Sequence, residues 1–347
     1  MKGIVMLILS FFAIGAHAGL ARVRVVALDE ETRQPIAGVG VKACFRVRGD
    51  IWASVKGAPK QNYDEDETGC NGSCSLSGST DVGEVSVKVT SVPSGYHRVQ
   101  YVRVKKFKIN MLGVWQTDDN VVTFLLQRFV NPVPLFVKKL TPDFRDETKD
   151  DMFSKNGGIL EYDLEEGDWL PPIGNGKVAD VEFSRLPPES LGKVTAHGKT
   201  KNSTKFTMRM RFLGENNGIV PVETSYGLSL KVREAPETGY TPEIVSWVVD
   251  HGPDLQLKTS YDEDRVFCFR IRTKTDDSGK IVAAKYGKIY GDVRSLYQSG
   301  TRVYVAVPQM LYYLNPKPMD RNLEWNRVNL AGYGSNIHSE HWSRLRP

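Results

Sequence analysis

The residues best suited by type and spacing to do chemistry in this chain are acidic. The stretch EYDLEEGDW brings together Glu161, Asp163, Glu165, Glu166 and Asp168. Hard carboxylate oxygens at alternating positions suit calcium, so Asp163, Glu165 and Asp168 are the expected metal ligands. The order is not that of an EF-hand, and a solvated acidic loop has the same composition. Paired carboxylates also serve glycosidases, which makes a hydrolase with an unrecognised carboxylate site one reading of the same residues. HSEH at 338–341 sets His338 and His341 around Glu340, close enough for one surface metal ion, though in a polar segment near the end of the sequence.

Aromatic residues are the second candidate group. Trp169 stands beside Pro171 and Pro172, Tyr312 and Tyr313 precede NPKP, and Trp325 follows DRNLE. Rings at strand ends and in loops bind sugars by stacking, so Trp169, Tyr312, Tyr313 and Trp325 are the expected ligand-binding residues, with packing at the ends of a sandwich as the competing reading. Outward Arg209, Arg211, Arg270, Arg272 and Lys274 would form a basic stripe, a surface for acidic glycans or a solvated sheet face.

Nucleophilic and phosphate-binding motifs are missing. No Gly-x-Ser-x-Gly elbow occurs, and GNGKVA at 174–179 follows PPI instead of a strand and lacks the Lys-Ser/Thr ending of a phosphate loop. Cys44, Cys70 and Cys74 are disulfide candidates if the chain is exported. A bridge from Cys44 to Cys74 would contribute about 3.7 kcal/mol by loop closure and one from Cys70 to Cys74 about 2 kcal/mol, and the sequence does not choose between them. A zinc half-site at Cys70 and Cys74 has no second ligand pair nearby.

The elements that would position these residues follow a two-residue period. Val23, Val25 and Ala27 alternate with Arg22 and Arg24, and Val39, Val41, Ala43, Phe45 and Val47 alternate with polar or small residues. Val85, Val87 and Val89 form another inward row. In KFTMRMRFLG, Phe206, Met208, Met210 and Phe212 share one face; in RVFCFRIRTKT, Phe267, Phe269 and Ile271 do. DDSG then leads into KIVAAKYGKIYG as a hairpin partner. No segment longer than about 12 residues carries a helical apolar period, although DETKDDMF has room for a turn or two. Neither an internal repeat nor a low-complexity tract is present.

Between the first strands lies the acidic turn DEETRQ and then PIAGVGV, where Pro35 suits the first residue of a strand and Gly38 and Gly40 permit a bulge or a close neighbour. A strand, this turn, PIAGVGV, then DETGCNGSCSLSG and a strand ending in SGYH resembles the transthyretin-like, carboxypeptidase-regulatory-like β-sandwich. The likeness covers about residues 20 to 126, with Thr32-Arg33 where that family has Thr-Gly and with a long insert, GDIWASVKGAPKQNYDEDE. It implies a Greek-key sandwich. It does not bring an activity. The hydroxyisourate hydrolases of this fold end in Tyr-Arg-Gly-Ser where this sequence reads RLRP, and no His-x-x-Glu of a zinc carboxypeptidase occurs. The C-terminal part is similar to uncharacterised secreted bacterial proteins that carry the same N-terminal module.

The first residues, MKGIVMLILSFFAIGAHAGL, combine a cation, a short apolar run and Ala16-His17-Ala18, so residues 1–18 read as a signal peptide. The run is shorter than the roughly 20 residues that span a bilayer, and no later stretch is apolar enough, so no transmembrane segment is expected after cleavage. A net charge of +5, one of it contributed by Lys2, is too mild for nucleic acid. Charged residues at 25% and hydrophobic ones at 40% are ordinary globular values. The chain's length predicts two domains, and the composition shift at FVNPVPLFVKKL places them at 19–128 and 129–347. The expectation is an all-β chain of two β-sandwich-like domains, secreted, periplasmic or at the cell envelope. It would be non-enzymatic and cofactor-free, with a binding or scaffolding role toward a glycan or an envelope protein. A carbohydrate-binding module using the loop aromatics is the alternative.

Overall fold

The computed structural model describes residues 19–46, 61–80, 84–97, 102–106, 108–109, 115–116, 121–140, 158–223, 232–262, 265–294, 297–298, 304–305 and 309–331. Residues 1–18, the DETKDDMF run and the 338–341 motif lie outside them. The described residues are built of β-strands, with one short 3-10 turn at Pro253–Leu255 and no α-helix among them. None of their helices is long and apolar enough to cross a membrane. The chain divides into two compact units after Phe129.

The first unit contains β1 (Gly19–Asp29), β2 (Gly40–Arg46), β3 (Gln61–Glu67), β4 (Ser73–Thr80), β5 (Glu84–Ser91), β6 (Val102–Lys106), β7 (Lys108–Ile109), β8 (Trp115–Gln116) and β9 (Val121–Leu126). One sheet runs β4-β1-β9, with β1 parallel to β9, and the other runs β3-β2-β5-β6. Val23, Val25 and Ala27 from one sheet and Val41, Ala43, Phe45, Val85 and Val87 from the other are almost fully buried, as period-two burial requires. The sheets touch at Gly78, where a methyl group would overlap the Phe45 ring.

The turn before PIAGVGV is fastened at both ends. Buried Asp29 accepts the amides of Glu31 (3.1 Å) and Thr32 (2.9 Å) and the Tyr96 hydroxyl (3.1 Å). The Thr32 amide is the largest influence that keeps its carboxyl below the ordinary range, against the opposing effect of burial. At the other end the Thr68 hydroxyl donates to the Ile36 carbonyl at 2.7 Å and accepts the Val39 amide at 3.0 Å. Gly38 sits at φ +72°, a conformation that glycine adopts without strain.

The last residues of the long insert form β3. Acidic residues depress strand propensity, so QNYDEDE does not read as a strand from sequence. Its inward positions carry polar groups that complete the sandwich corner: Asp64 accepts the Ser77 amide (2.7 Å) and Asn62 donates to the Ser79 carbonyl (3.3 Å), satisfying the edge of β4.

The second unit contains β10 (Val133–Leu140), β11 (Ile159–Asp163), β12 (Asp168–Trp169), β13 (Val181–Ala196), β14 (Lys199–Phe212), β15 (Gly218–Glu223), β16 (Glu243–Val249), β17 (Lys258–Thr259), β18 (Arg265–Thr275), β19 (Ile281–Arg294), β20 (Tyr297–Gln298), β21 (Tyr304–Val305), β22 (Gln309–Leu314) and β23 (Trp325–Asn329). Two six-stranded sheets run β15-β18-β19-β22-β10-β23 and β12-β11-β13-β14-β16-β17. Phe183, Met208, Met210 and Phe212 from the second pack on Phe267, Phe269, Ile271 and Tyr312 from the first, with the Phe212 and Phe269 rings stacked 5.9 Å apart. The first sheet is covered on its other face as well. Val266, Cys268, Ala284 and Tyr286 lie under Val232, Ala235 and Leu323.

Candidate functional site

The acidic stretch EYDLEEGDW folds as the turn from β11 to β12, closed by the Gly167 amide on the Asp163 carbonyl at 2.8 Å. Asp163 is 1% exposed and its carboxylate accepts five donors. Oδ1 receives the amides of Glu165 (2.9 Å) and Glu166 (3.0 Å) and an Arg272 nitrogen (2.8 Å). Oδ2 receives the amides of Lys177 and Val178, each at 3.0 Å. Burial acts to raise this carboxyl, but the amides of Glu166, Lys177 and Val178, then Arg272, outweigh it and hold it below the usual range.

Arg272 is the hub. Its Nε and one terminal nitrogen form a fork on Asp180, both at 3.0 Å, and its other terminal nitrogen reaches Glu165. Lys285 adds a 2.5 Å contact to Glu165, and Lys138 donates to the Glu165 carbonyl. Burial disfavours the charged guanidinium, yet the bond to Asp180 and the surrounding carboxylates raise its pKa. Burial is the largest effect on Asp180 and raises its carboxyl, although Arg272 and the Leu164 amide pull the other way. Both oxygens of Asp180 accept N–H groups of the Arg272 guanidinium, so the two form a charged, forked pair.

The carboxylates of the calcium expectation already have partners in this arrangement. The oxygens of Asp163 and Glu165 are taken by Arg272, Lys285 and backbone amides, and Asp168 accepts the amides of Trp169 (2.8 Å) and Asn175 (3.0 Å). Among the described residues no group of three or more His, Cys, Asp or Glu is placed to hold a metal. The same contacts bear on a carboxylate pair for hydrolysis. Asp163 and Asp180 flank one guanidinium nitrogen at 2.8 and 3.0 Å, and both are nearly inaccessible to substrate, with 1% and 2% exposure.

The four expected sugar-binding rings do not share a surface. Tyr312 and Tyr313, being adjacent in a strand, point to opposite faces of their sheet, and both are fully buried. Tyr312 donates to the Leu164 carbonyl at 2.8 Å, which places it against the acidic turn. Trp169 is half-buried edge-on to Tyr162 (4.9 Å) and Phe183 (5.8 Å). Trp325 packs at 5.4 Å on Tyr313 and donates to the Val328 carbonyl at 3.0 Å. The rings are packed into the sheets, so Tyr312 and Tyr313 offer no face to a ligand.

The basic stripe is also redistributed. Arg270 is 8% exposed, donates to the Asn216 carbonyl at 2.8 Å and lies 4.4 Å over the Tyr240 ring. Arg272 leaves the alternation at a β-bulge, with φ +54°, which turns it toward the acidic turn. Arg209 bonds the Ser184 hydroxyl at 3.1 Å. The cysteines are free thiols. Cys44 alternates with buried Ala43 and Phe45 and so points away from the core. Cys74 pairs with inward Val25 on the other sheet. Burial, then Asp66 and Asp64, push the Cys74 thiol up to about 11.

A buried amine escaped the sequence reading. Lys288 is fully buried, opposite Cys268 in the β18–β19 ladder, and donates to the Val232 carbonyl at 2.8 Å. Its nitrogen lies 5.4 Å from the centre of the Tyr313 ring. Burial lowers its pKa to about 7, with Cys268 and Glu324 resisting. Only its place in the apolar-flanked run AAKYGKIYG hinted at this, and a lysine there also fits an outward position.

No family model and no curated protein matches the chain. Among solved structures, the minor pilin GBS52 of Streptococcus agalactiae aligns at 20% identity over 34% of this chain and 49% of that one, with a TM-score of 0.23. The chain thus spans about half the length of that protein. The major pilin BcpA of Bacillus cereus aligns at 12% identity over 84% of this chain and 95% of that one (TM-score 0.22). For the major pilin SpaD of Corynebacterium diphtheriae the values are 11%, 89% and 84% (TM-score 0.23). Scores this low assign neither a fold nor a role.

Proposed function

We propose that this chain is a non-enzymatic β-sandwich protein that acts by binding or scaffolding outside the cytoplasm, at the cell envelope or in the medium. Residues 19–128 would serve as a carboxypeptidase-regulatory-like module and 129–347 as a second β-rich domain, following a signal peptide at 1–18. The observation that carries this reading is the saturation of the acidic turn. The strongest convergence of ionisable side chains among the described residues spends its acceptors on Arg272, Lys285 and amides, which fastens a turn to a sheet. Groups committed in this way are not poised to take or give a proton to a substrate.

The test is a glycan array and an envelope-extract pulldown with the intact secreted chain, run beside a hydrolysis panel of glycosides and esters. Saturable binding without turnover is expected. Turnover that is abolished by Asp163→Asn or Asp180→Asn in a folded variant would overturn the reading.

A further inference from the structure

We propose that the outer half of the β13–β14 hairpin docks on the acidic edge strand β3 of a second copy of this chain. The proposal rests on the binding or scaffolding reading and names the partner.

The hairpin outgrows its sheet. β13 pairs with β11 only through Ser184, and β14 pairs with β16 only from Lys205 onward. Beyond those points Gly192–Ala196 is laddered to Lys199–Ser203 and to no other strand among the described residues, which leaves both edges there without a strand partner, and every residue from 186 to 202 is exposed or half-exposed. Two-stranded ribbons are marginal in isolation and have backbone groups free for strand addition. The register shifts near Glu189 and Gly192 mark where the ribbon leaves the sandwich.

Its charge is one-sided. Lys193, Lys199 and Lys201 are exposed and make no ion pair among the described residues, and the one carboxylate between residues 186 and 204, Glu189, sits 3.5 Å from Lys205. Lys199 and Lys201 are two residues apart on one strand and so share a face.

The complement lies in the first unit. β3 is the edge of its sheet, and Glu65, Asp66 and Glu67 are exposed there. Glu65 and Glu67 are likewise two residues apart, so the two strands laid side by side bring Lys199 and Lys201 opposite two carboxylates. Glu65 already meets Lys42, while the Glu67 carboxylate has no ion pair among the described residues. Opposite charges across a ladder stabilise it and fix its register. Because the contact joins two different surfaces, it is heterologous and permits growth beyond a dimer.

The test uses the intact chain in sedimentation velocity over a concentration series. Association in low salt that disappears near about 0.5 M NaCl is expected, because screening then acts over a few ångström. K199E/K201E and E65K/E67K, each checked for folding by circular dichroism, should each weaken association at least about tenfold. Mixing the two variants should restore it, since each ribbon then meets a strand of opposite charge. A chain that stays monomeric, or association that neither reversal changes, overturns the proposal. Loss of dextran sulfate binding in K199E/K201E, with the parent chain monomeric, also overturns it and leaves the broader binding role standing.

Discussion

Cys268 and Lys288 face each other across the β18–β19 ladder, both fully buried, with the amine donating to the Val232 carbonyl. Burial pushes the thiol up to about 12, so it is uncharged where the amine titrates, near 7. The folded chain releases this proton well before the unfolded chain does, since a free lysine titrates near 10.4. Between those values the unfolded state binds one more proton, and stability therefore rises with pH. Below the folded value the full cost of burying the charge remains.

Lys288→Met should remove this dependence. The difference in unfolding free energy between the variant and the parent should shrink by about 1.4 kcal/mol per pH unit above pH 7, as the parent recovers. At pH 7 the variant should be more stable by up to a few kcal/mol, reduced by the Val232 carbonyl it leaves unpaired. Urea titrations of both proteins from pH 7 to 9 measure this directly, and equal slopes would contradict it.

Arg272 carries the acidic turn, and replacing it strands two buried carboxylates. Arg272→Gln should cost about 3–5 kcal/mol, as for one partner removed from a buried ion pair. Arg272→Lys should recover little, because an ammonium cannot fork onto Asp180 and still reach Asp163 and Glu165. Guanidinium denaturation resolves the series. Acid should act in the same region: Asp163 titrates below its unfolded value, so its contribution is complete above about pH 4 and is lost as the pH falls below that.

Adjacent tyrosines should respond differently to loss of a hydroxyl. The Tyr312 oxygen bonds the Leu164 carbonyl, whereas the Tyr313 oxygen is buried without a hydrogen-bond partner among the described residues. Tyr312→Phe should therefore destabilise by about 1–2 kcal/mol, and Tyr313→Phe should be neutral or stabilising. Thermal melts at one pH compare them.

Sequence periodicity located the inner faces well. Phe206, Met208, Met210 and Phe212 are buried as their alternation requires, as are Phe267, Phe269 and Ile271. The same rule put Arg270 in solvent, and it failed there because residues around Val232 and Leu323, distant in sequence, cover the outer face of that sheet. Arg272 was misplaced by a bulge, where one extra residue inverts the facing of the rest of the strand. The carboxylates of the acidic turn were visible in the sequence. Their partners were not, because Asp163 and Arg272 are 109 residues apart and composition does not encode which distant cation closes a turn.

Thr68 tests how PIAGVGV is held. Its hydroxyl makes two buried hydrogen bonds, to the Ile36 carbonyl and from the Val39 amide, across the loop opening of the first unit. Thr68→Val keeps the shape and deletes both, leaving a donor and an acceptor without partners in a site only 3% exposed. A loss of about 2–3 kcal/mol is expected, and Thr68→Ser should restore most of it because the oxygen returns. Amide exchange at Val39 gives a local readout: it should accelerate in the valine variant and stay slow in the serine variant. Rapid exchange in the parent chain would mean that the threonine does not clamp this turn.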